Sequence, residues 1–264
     1  MPALYHAHST PLRHWSALLV LLCLSPATPA VTLNMMFGHA DGEPIVEFES
    51  KAPNAPLSGG VTYDLGRALA LQLKVQLQFV EFSRRRVEMA LLNGDAHIAC
   101  NTNPAWMDKP ERYHWSKPVY AHAETLVSRQ QVGKPIREPQ DLKGGSLGTI
   151  LGYRYPDLEP FFQQGSILRR DEPSLDGNFR KLGSGQLTAL ISTRDEIAAW
   201  LRRRPTEQGK FVVSDKDLTT YPTHCLLSPK APITLEQLDA ALDALRKSGQ
   251  LQQIMSRYQL SPVP

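Results

Sequence analysis

The sequence predicts a two-lobed α/β protein, each lobe a mainly parallel sheet flanked by helices, and three observations carry that expectation. A β-α-β-α-β pattern runs over residues 32–100, and a second pattern of the same kind begins at Ser146. Such alternation implies right-handed crossovers that lay helices on the faces of parallel strands. The third observation is length: 264 residues, less an N-terminal leader, leave room for two lobes of ~100 residues each.

TLNMMF (32–37) reads as the first strand, and a polar, Gly/Pro-rich loop follows to Gly60. In VTYDLGRALALQL (61–73), Val61, Leu65, Leu69 and Leu73 recur four apart, one stripe of a helix. VQLQFV (75–80) alternates like a strand; Ser83 is placed to cap a helix with Val87, Ala90 and Leu91 inward, ended at Asn93–Gly94. AHIAC (96–100) is the next strand. In the second pattern, strands are expected at 146–150, 166–170, 187–192 and 210–214, with helices at 153–164, 175–182 and 194–204. From Thr234, Leu235, Leu238, Leu242 and Leu245 repeat at helical spacing; Gly249 interrupts, and Leu251, Ile254 and Tyr258 continue.

The N-terminus sets the compartment. Arg13 is the one full charge in residues 1–16, ALLVLLCL (17–24) is an apolar core, and SPATPA (25–30) offers Thr28 and Ala30 at the −3 and −1 positions of a cut. That is the pattern of a cleaved secretory signal peptide over residues 1–30, shorter than the ~20 apolar residues of a span. A cut after Ala27 and a lipid-bearing Cys23 are the alternatives; Cys23 lies inside the apolar core, where a lipid-attachment site needs small residues before it. The expected location is the periplasm.

The whole chain carries a net charge of +3, and loss of Arg13 leaves +2, which predicts no polyanion or nucleic-acid partner. Arg84–Arg86 and Arg202–Arg204 read as solvated faces of amphipathic helices. Cys100 and Cys225 remain after processing; an exported chain permits a bridge, but spacing does not show that they meet. His39, His97, His114, His122 and His224 are scattered, so neither metal nor cofactor is expected.

In parallel α/β sheets ligands bind beyond the carboxyl ends of strands. Residues 100–120 (CNTNPAWMDKPERYHWSKPVY), 148–156 and 193–195 occupy such places, and the first is dense in aromatics. At this point the chain resembles the family 3 periplasmic solute-binding proteins, which include amino-acid receptors of ABC importers. GGVTYDLGRALALQL resembles the family's Gly-Phe-Asp-x-Asp-Leu-Ala helix start, and LLNGDAHIAC its Leu-x-x-Gly-x-x-Asp-Ala strand. PERYHWSKPVY resembles the segment from Thr-Pro-Glu-Arg to Phe-Ser-x-Pro-Tyr, and DLKGGSLGTILG the opening of the second lobe. LGSGQLTALIST and LDALRKSGQLQQIMSRY resemble its later repeat and its ending.

The resemblance implies the type II periplasmic binding protein fold, with two crossing strands joining the lobes. Lobe one is then 31–122 plus 226–264, and lobe two with the hinge strands 123–225. It further implies a monomer that closes on a small polar, carboxylate-bearing solute and passes it to an ABC permease. The family arginine that clamps a ligand carboxylate maps onto Arg112, Thr102 falls near its hydroxyl contacts, and Phe82 falls where a stacking aromatic is common. The family aspartate that holds an α-ammonium falls at Thr193, a departure that argues against a standard L-amino acid.

Each candidate has a plainer reading. Arg112 offers a planar fork to a carboxylate, or pairs on the surface with Glu111 or Asp108. Trp106 stacks on a ligand or covers its own loop; Phe48 and Phe82 line the cleft or fill the core. Gly148 and Gly152 let backbone amides near Tyr153 and Arg154 approach an anion, or serve ordinary turns. Thr193 is a cleft hydroxyl or a helix cap. A second function, a dehydratase-like periplasmic enzyme, needs an acid or base in the cleft, for which Asp195 and His97 are the candidates. A sensor input without a transporter is the third.

The leader pattern generates the first prediction. N-terminal sequencing of exported protein should begin at Val31; retention of residues 1–30 in a membrane-anchored form would contradict it.

Overall fold

The computed structural model describes residues 1, 3, 31–50, 52, 55–130 and 136–260. The signal peptide expected over 1–30, and with it Cys23, therefore lies outside the described residues apart from two isolated positions. Among the described residues no helix is long and apolar enough to cross a membrane.

The chain runs β1 (Thr32–Gly38), a two-stranded hairpin of β2 (Glu47–Phe48) and β3 (Leu57–Gly59), α1 (Val61–Leu73), β4 (Gln76–Phe82), α2 (Arg84–Asn93) and β5 (Ile98–Thr102). Two 3-10 turns, Pro104–Trp106 and Pro110–Arg112, lead into the sixteen-residue β6 (His114–Arg129). Then come β7 (Ser146–Ile150), α3 (Glu159–Gln163), β8 (Leu168–Glu172), α4 (Leu175–Gly183), β9 (Ala189–Thr193) and α5 (Arg194–Arg202). The seventeen-residue β10 (Phe211–Leu227) returns the chain to α6 (Leu235–Lys247) and α7 (Gln250–Arg257).

All the strands except the hairpin join one sheet of eight, in the order β4-β1-β5-β10-β6-β9-β7-β8. β1 pairs in parallel with β4 and β5, and β7 with β8 and β9, so each flank is the parallel unit that the alternation predicts. The middle differs. β6 and β10 run antiparallel to each other along most of their length, β10 is antiparallel to β5, and β6 is antiparallel to β9. The expected strand at 210–214 is thus no closing parallel strand but the start of β10. The expected helix at 153–164 shrinks to α3, because Pro156 disfavours helical backbone before it and Pro160 is tolerated only in a first turn.

Two sets of cores separate the halves. On one side the Leu65–Leu69 face of α1 packs with Leu238, Leu242 and Leu245 of α6 and with Leu251 and Met255 of α7 over Leu33, Met35 and Ile98. On the other, Leu147, Ala189 and Ile191 pack with Leu142, Tyr155 and Leu158, while Phe179, Leu182 and Ile197 fill the opposite face. Helix ends follow local chemistry. Thr234 and Gln237 form a reciprocal capping box at α6, and Gly94, with φ +85°, terminates α2 in the left-handed region. Ser83 occupies the cap position of α2 but makes no side-chain cap bond.

Cys100 of β5 and Cys225 of β10 are joined in a disulfide across 125 residues of chain. Both are buried, at 4% and 0% exposure, so the bridge is a staple within the sheet and not an accessible thiol pair. Closing so long a loop restricts the unfolded chain, worth ~3–5 kcal/mol in the entropic account. Cys100→Ser, Cys225→Ser protein should therefore unfold at clearly lower denaturant concentration than the oxidised wild type; identical midpoints, or two free thiols by alkylation of unfolded wild type, would contradict the staple.

Candidate ligand-binding site

A cleft of about 200 Å³ opens between the halves, walled by the end of β1, the start of α2, β5, the 104–107 turn, β6 and the loop after β7. The aromatic segment after β5 is held there by its own polar groups. Asn103 caps the first 3-10 turn by accepting from the Ala105 amide (2.8 Å) and donates its Nδ2 to the Pro222 carbonyl (2.8 Å). The Trp115 indole donates to the Pro110 carbonyl (2.9 Å), and Met107 and Tyr113 are buried beneath. Trp106 is thereby set edge-on to His122 (4.8 Å between ring centres) and to Tyr221 (5.8 Å), against both crossing strands.

Opposite charges face one another in this space. Asp41, on the loop after β1, accepts from the Gly38 amide (2.8 Å) and, across the cleft, from the Tyr153 hydroxyl (2.9 Å). Glu124 of β6 accepts from Thr219 (3.1 Å) and lies 3.8 Å from His122 Nε2, with both side chains largely buried. Arg154 pairs with Asp108 and Arg203 with Glu43 from one half to the other.

Burial pushes the Asp41 carboxyl up to about 6 against the pull of its two hydrogen bonds, with Glu196 adding to the rise and His122 reducing it. Asp195, at the first turn of α5, is likewise pushed up to about 6, chiefly by burial; His122 opposes the rise and Glu196 adds to it. The Tyr153 phenol is held well above its ordinary value by burial and then by Asp41. Behind these, Glu196 accepts from Ser192 (2.7 Å) and Thr193 (3.1 Å).

Of the residues singled out in the sequence, Thr102, Trp106, Tyr153 and Arg154 line the cleft. The others stand elsewhere. Arg112 is exposed at the end of the second 3-10 turn and forms no part of the cleft wall, so the carboxylate clamp expected there has no cleft to reach into. The three-residue spacing to Trp115 ends the turn too soon to swing it inward. Phe48 is 41% exposed on the hairpin and meets Phe37 edge-on. Phe82 packs on the Val87–Leu91 core with Arg86 over its ring. Gly148 is inside β7, where a β-carbon would collide with Asn178 and with Leu187 at 2.6 Å, so its role is close packing. Thr193 is buried and caps α5 by accepting from the Glu196 amide (3.1 Å). Of the acid–base candidates, His97 accepts the Asn34 amide at Nδ1 (2.9 Å) as a structural group, and neither it nor Asp195 is on the wall.

Asp41 and Glu124 carry no signal in the sequence, and Arg84, expected on a solvated helix face, and His122, expected as a scattered single histidine, are instead on the wall, the Arg84 side chain only 18% exposed. Glu124 stands opposite Thr193 in the β6–β9 register, so a carboxylate absent from one strand is present on its neighbour. That signal is invisible without pairing.

Two lobes, two crossing strands and a charged cleft between them define a solute-binding protein. The chain belongs to the bacterial extracellular solute-binding proteins, family 3, whose pattern it matches over residues 41–261. It is 23% identical over 240 residues to the probable histidine-binding protein of Neisseria gonorrhoeae, covering 88% of this chain and 86% of that one. An ancestral arginine-binding protein bound to arginine superposes with a TM-score of 0.72 at 19% identity, over 86% of this chain and 97% of the other. The ancestral amino-acid-binding protein AncCDT-1, a precursor of cyclohexadienyl dehydratase, does so at 0.68 with 20% identity, over 86% and 95%. At these identities the superpositions speak for the fold.

The raised carboxyls make a signed prediction. Both are higher in the folded chain than unfolded, so their contribution to stability is full below about pH 4 and is lost as pH rises through about 6. Between pH 5 and 7.5 the wild-type melting temperature should fall more steeply than that of Asp41→Asn; equal slopes would contradict the burial of an ionisable Asp41.

Proposed function

We propose that this protein captures a small amino-acid-like solute by closing lobe one (31–122 plus 226–264) onto lobe two (123–225) and delivers it to an ABC permease, acting as a monomer in the periplasm. The observation that carries the reading is the composition of the cleft. Carboxylates at Asp41 and Glu124, a guanidinium at Arg84, and apolar walls at Phe37, Trp106 and Leu226 enclose about 200 Å³. That is below the ~300–1,000 Å³ typical of drug-sized sites and suits a small solute with charge of both signs. The names of the relatives, histidine- and arginine-binding, fit the same class.

Glu124, one strand over from Thr193, offers an α-ammonium the carboxylate that Thr193 lacks. An enzymatic reading draws on Asp41, a carboxyl raised to about 6 beside a solute-sized space, and on the dehydratase lineage of one structural relative. It requires turnover, whereas capture requires only reversible binding.

The test is calorimetric titration of unfolded-and-refolded, ligand-free protein with each of the twenty standard L-amino acids, with mass spectrometry of molecules released from the protein as purified. At least one amino acid should bind reversibly, unchanged on recovery, and raise the melting temperature; at a hundredfold excess over Kd the gain is ~2.7 kcal/mol. Chemical conversion of the added compound would favour the enzyme, and binding of none would overturn the amino-acid reading.

A further inference from the structure

Two side chains on opposite walls of the cleft bond directly to each other. The Tyr153 hydroxyl, on the loop after β7, donates to Asp41 Oδ1 (2.9 Å), while Asp41 Oδ2 accepts the Gly38 amide (2.8 Å). Each partner is fixed to its own half. The loop that carries Asp41 runs on into Ile45 and Val46, which are buried with Phe37 and Leu57. The amides of Ile45 and Val46 both donate to the Gly42 carbonyl (2.8 and 3.1 Å). Tyr153 packs on the core of Tyr155 and Leu158; its amide donates to the Ile150 carbonyl (3.0 Å), and its carbonyl accepts from Arg169 (2.8 Å). A bond between side chains so held joins the two halves themselves.

The surroundings make this bond sensitive to charge. On its own loop Asp41 has His39 and Glu43 as neighbours, engaged by Glu81 and Arg203. His122 and Glu124 of β6 face the same space, 3.8 Å apart, and Arg84 of α2 lies 3.7 Å from Glu88. On the Tyr153 loop Arg154 holds Asp108, and from α5 Glu196, with Asp195 beside it, adds negative charge. Among the described residues no cation pairs with Asp41. Its ionised form therefore depends on the Gly38 amide and on Tyr153, a phenol that burial keeps protonated and able to donate.

We infer that Tyr153 and Asp41 form a latch between the halves that couples capture of the solute to uptake of a proton. The inference rests on the proposed capture by lobe closure and adds to it a contact that senses pH. Parting of the halves returns Asp41 to water and takes Tyr153 and Glu196 away from it. Its carboxyl, pushed up to about 6 by burial in this structure, then falls back toward its ordinary 3.8. A group with the higher value in the joined form favours that form fully below about pH 4, and the advantage is lost as pH rises through about 6. The coupling acts on closure, so it scales affinity for every solute alike and does not choose among them.

The experiment is calorimetric titration of ligand-free wild type, Asp41→Asn, Tyr153→Phe and the double variant with the tightest-binding of the twenty L-amino acids, at pH 5 and at pH 7.5. Relative to that of Asp41→Asn, the wild-type Kd should rise on the order of tenfold between the two pH values. Taking this ratio removes titration of the ligand and of His39 and His122. Tyr153→Phe leaves an ionised Asp41 without its donor at pH 7.5 but meets a protonated one at pH 5. Its affinity should therefore fall on the order of tenfold at pH 7.5 and by clearly less at pH 5. With Asn at position 41, loss of the phenol should have the same effect at both. A phenol that only packed, or that only touched the solute, would weaken binding alike at both pH values in either background. Equal pH dependence in wild type and Asp41→Asn, or an equal loss at both pH values in Tyr153→Phe, would overturn the latch. Each single variant tests it separately, so failure of one to fold leaves the other decisive. Binding of no amino acid by the wild type at either pH would instead remove the capture reading beneath it.

Discussion

The arrangement of the two halves depends on the antiparallel pairing of β6 with β10, because among the described residues these strands alone run from one half into the other. Their register slips at several points, between Val213 and Asp217, Asp217 and Thr219, Pro222 and His224, and His224 and Leu226. Each slip leaves ladder groups unpaired and bends the ribbon locally. Pro222 removes one donor outright, and its carbonyl turns instead to Asn103. The ends of the ribbon are fixed more firmly. At the lobe-one end the Cys100–Cys225 bridge and the Ser116 hydroxyl, which accepts the Cys225 amide (2.9 Å), hold β10 in place. At the other, Phe211 is buried with Phe179 and edge-on to it. A ribbon anchored at both ends and irregular between them is where two rigid bodies can change their angle.

The same ribbon forms the cleft floor. His122 and Glu124 project from β6 into the space that α2, the β1 loop and the β7 loop enclose, so any change of angle alters the distance between charges on opposite walls. Side-chain contacts across the gap include the Tyr153–Asp41 hydrogen bond, the Arg154–Asp108 and Arg203–Glu43 pairs, and a hydrogen bond from Arg202 to Gln259 (3.1 Å). Arg154 and Asp108 are exposed, and a pair of that kind is worth ~0–1 kcal/mol; Arg203 is exposed against a Glu43 only 24% exposed. Binding energy from a solute that bridges the walls can then decide the equilibrium.

The flanks of the fold were legible because local chemistry determines them. Four-residue spacing in α1, the alternation of β4, and the Thr234 cap of α6 each place an element to within a residue or two. The middle was not legible, since strand direction and pairing depend on residues far apart: 210–214 looked like any short strand until its union with Tyr221–Leu227 made β10. The site divides along the same line. Trp106, Thr102 and Tyr153 reach the cleft wall as expected from their loops at strand ends, where cleft walls form. Arg84 was hidden in a run of three arginines whose other two members are indeed exposed. Glu124 was hidden because its partner strand, β9, lies far along the chain, and only the register sets it beside Thr193. Arg112 misled because a motif gives order along the chain, while two short prolyl turns govern where the side chain ends.

If the β6–β10 ribbon is a hinge, as the proposed capture requires, solute held between the walls closes it. Spin labels on exposed helix positions, one at Leu71 on α1 and one at Arg180 on α4, report the distance between the halves by pulsed electron resonance. Ligand-free protein should give a longer or broader distance distribution that shortens and narrows when the bound amino acid is added. A distribution unchanged at saturating ligand would contradict it.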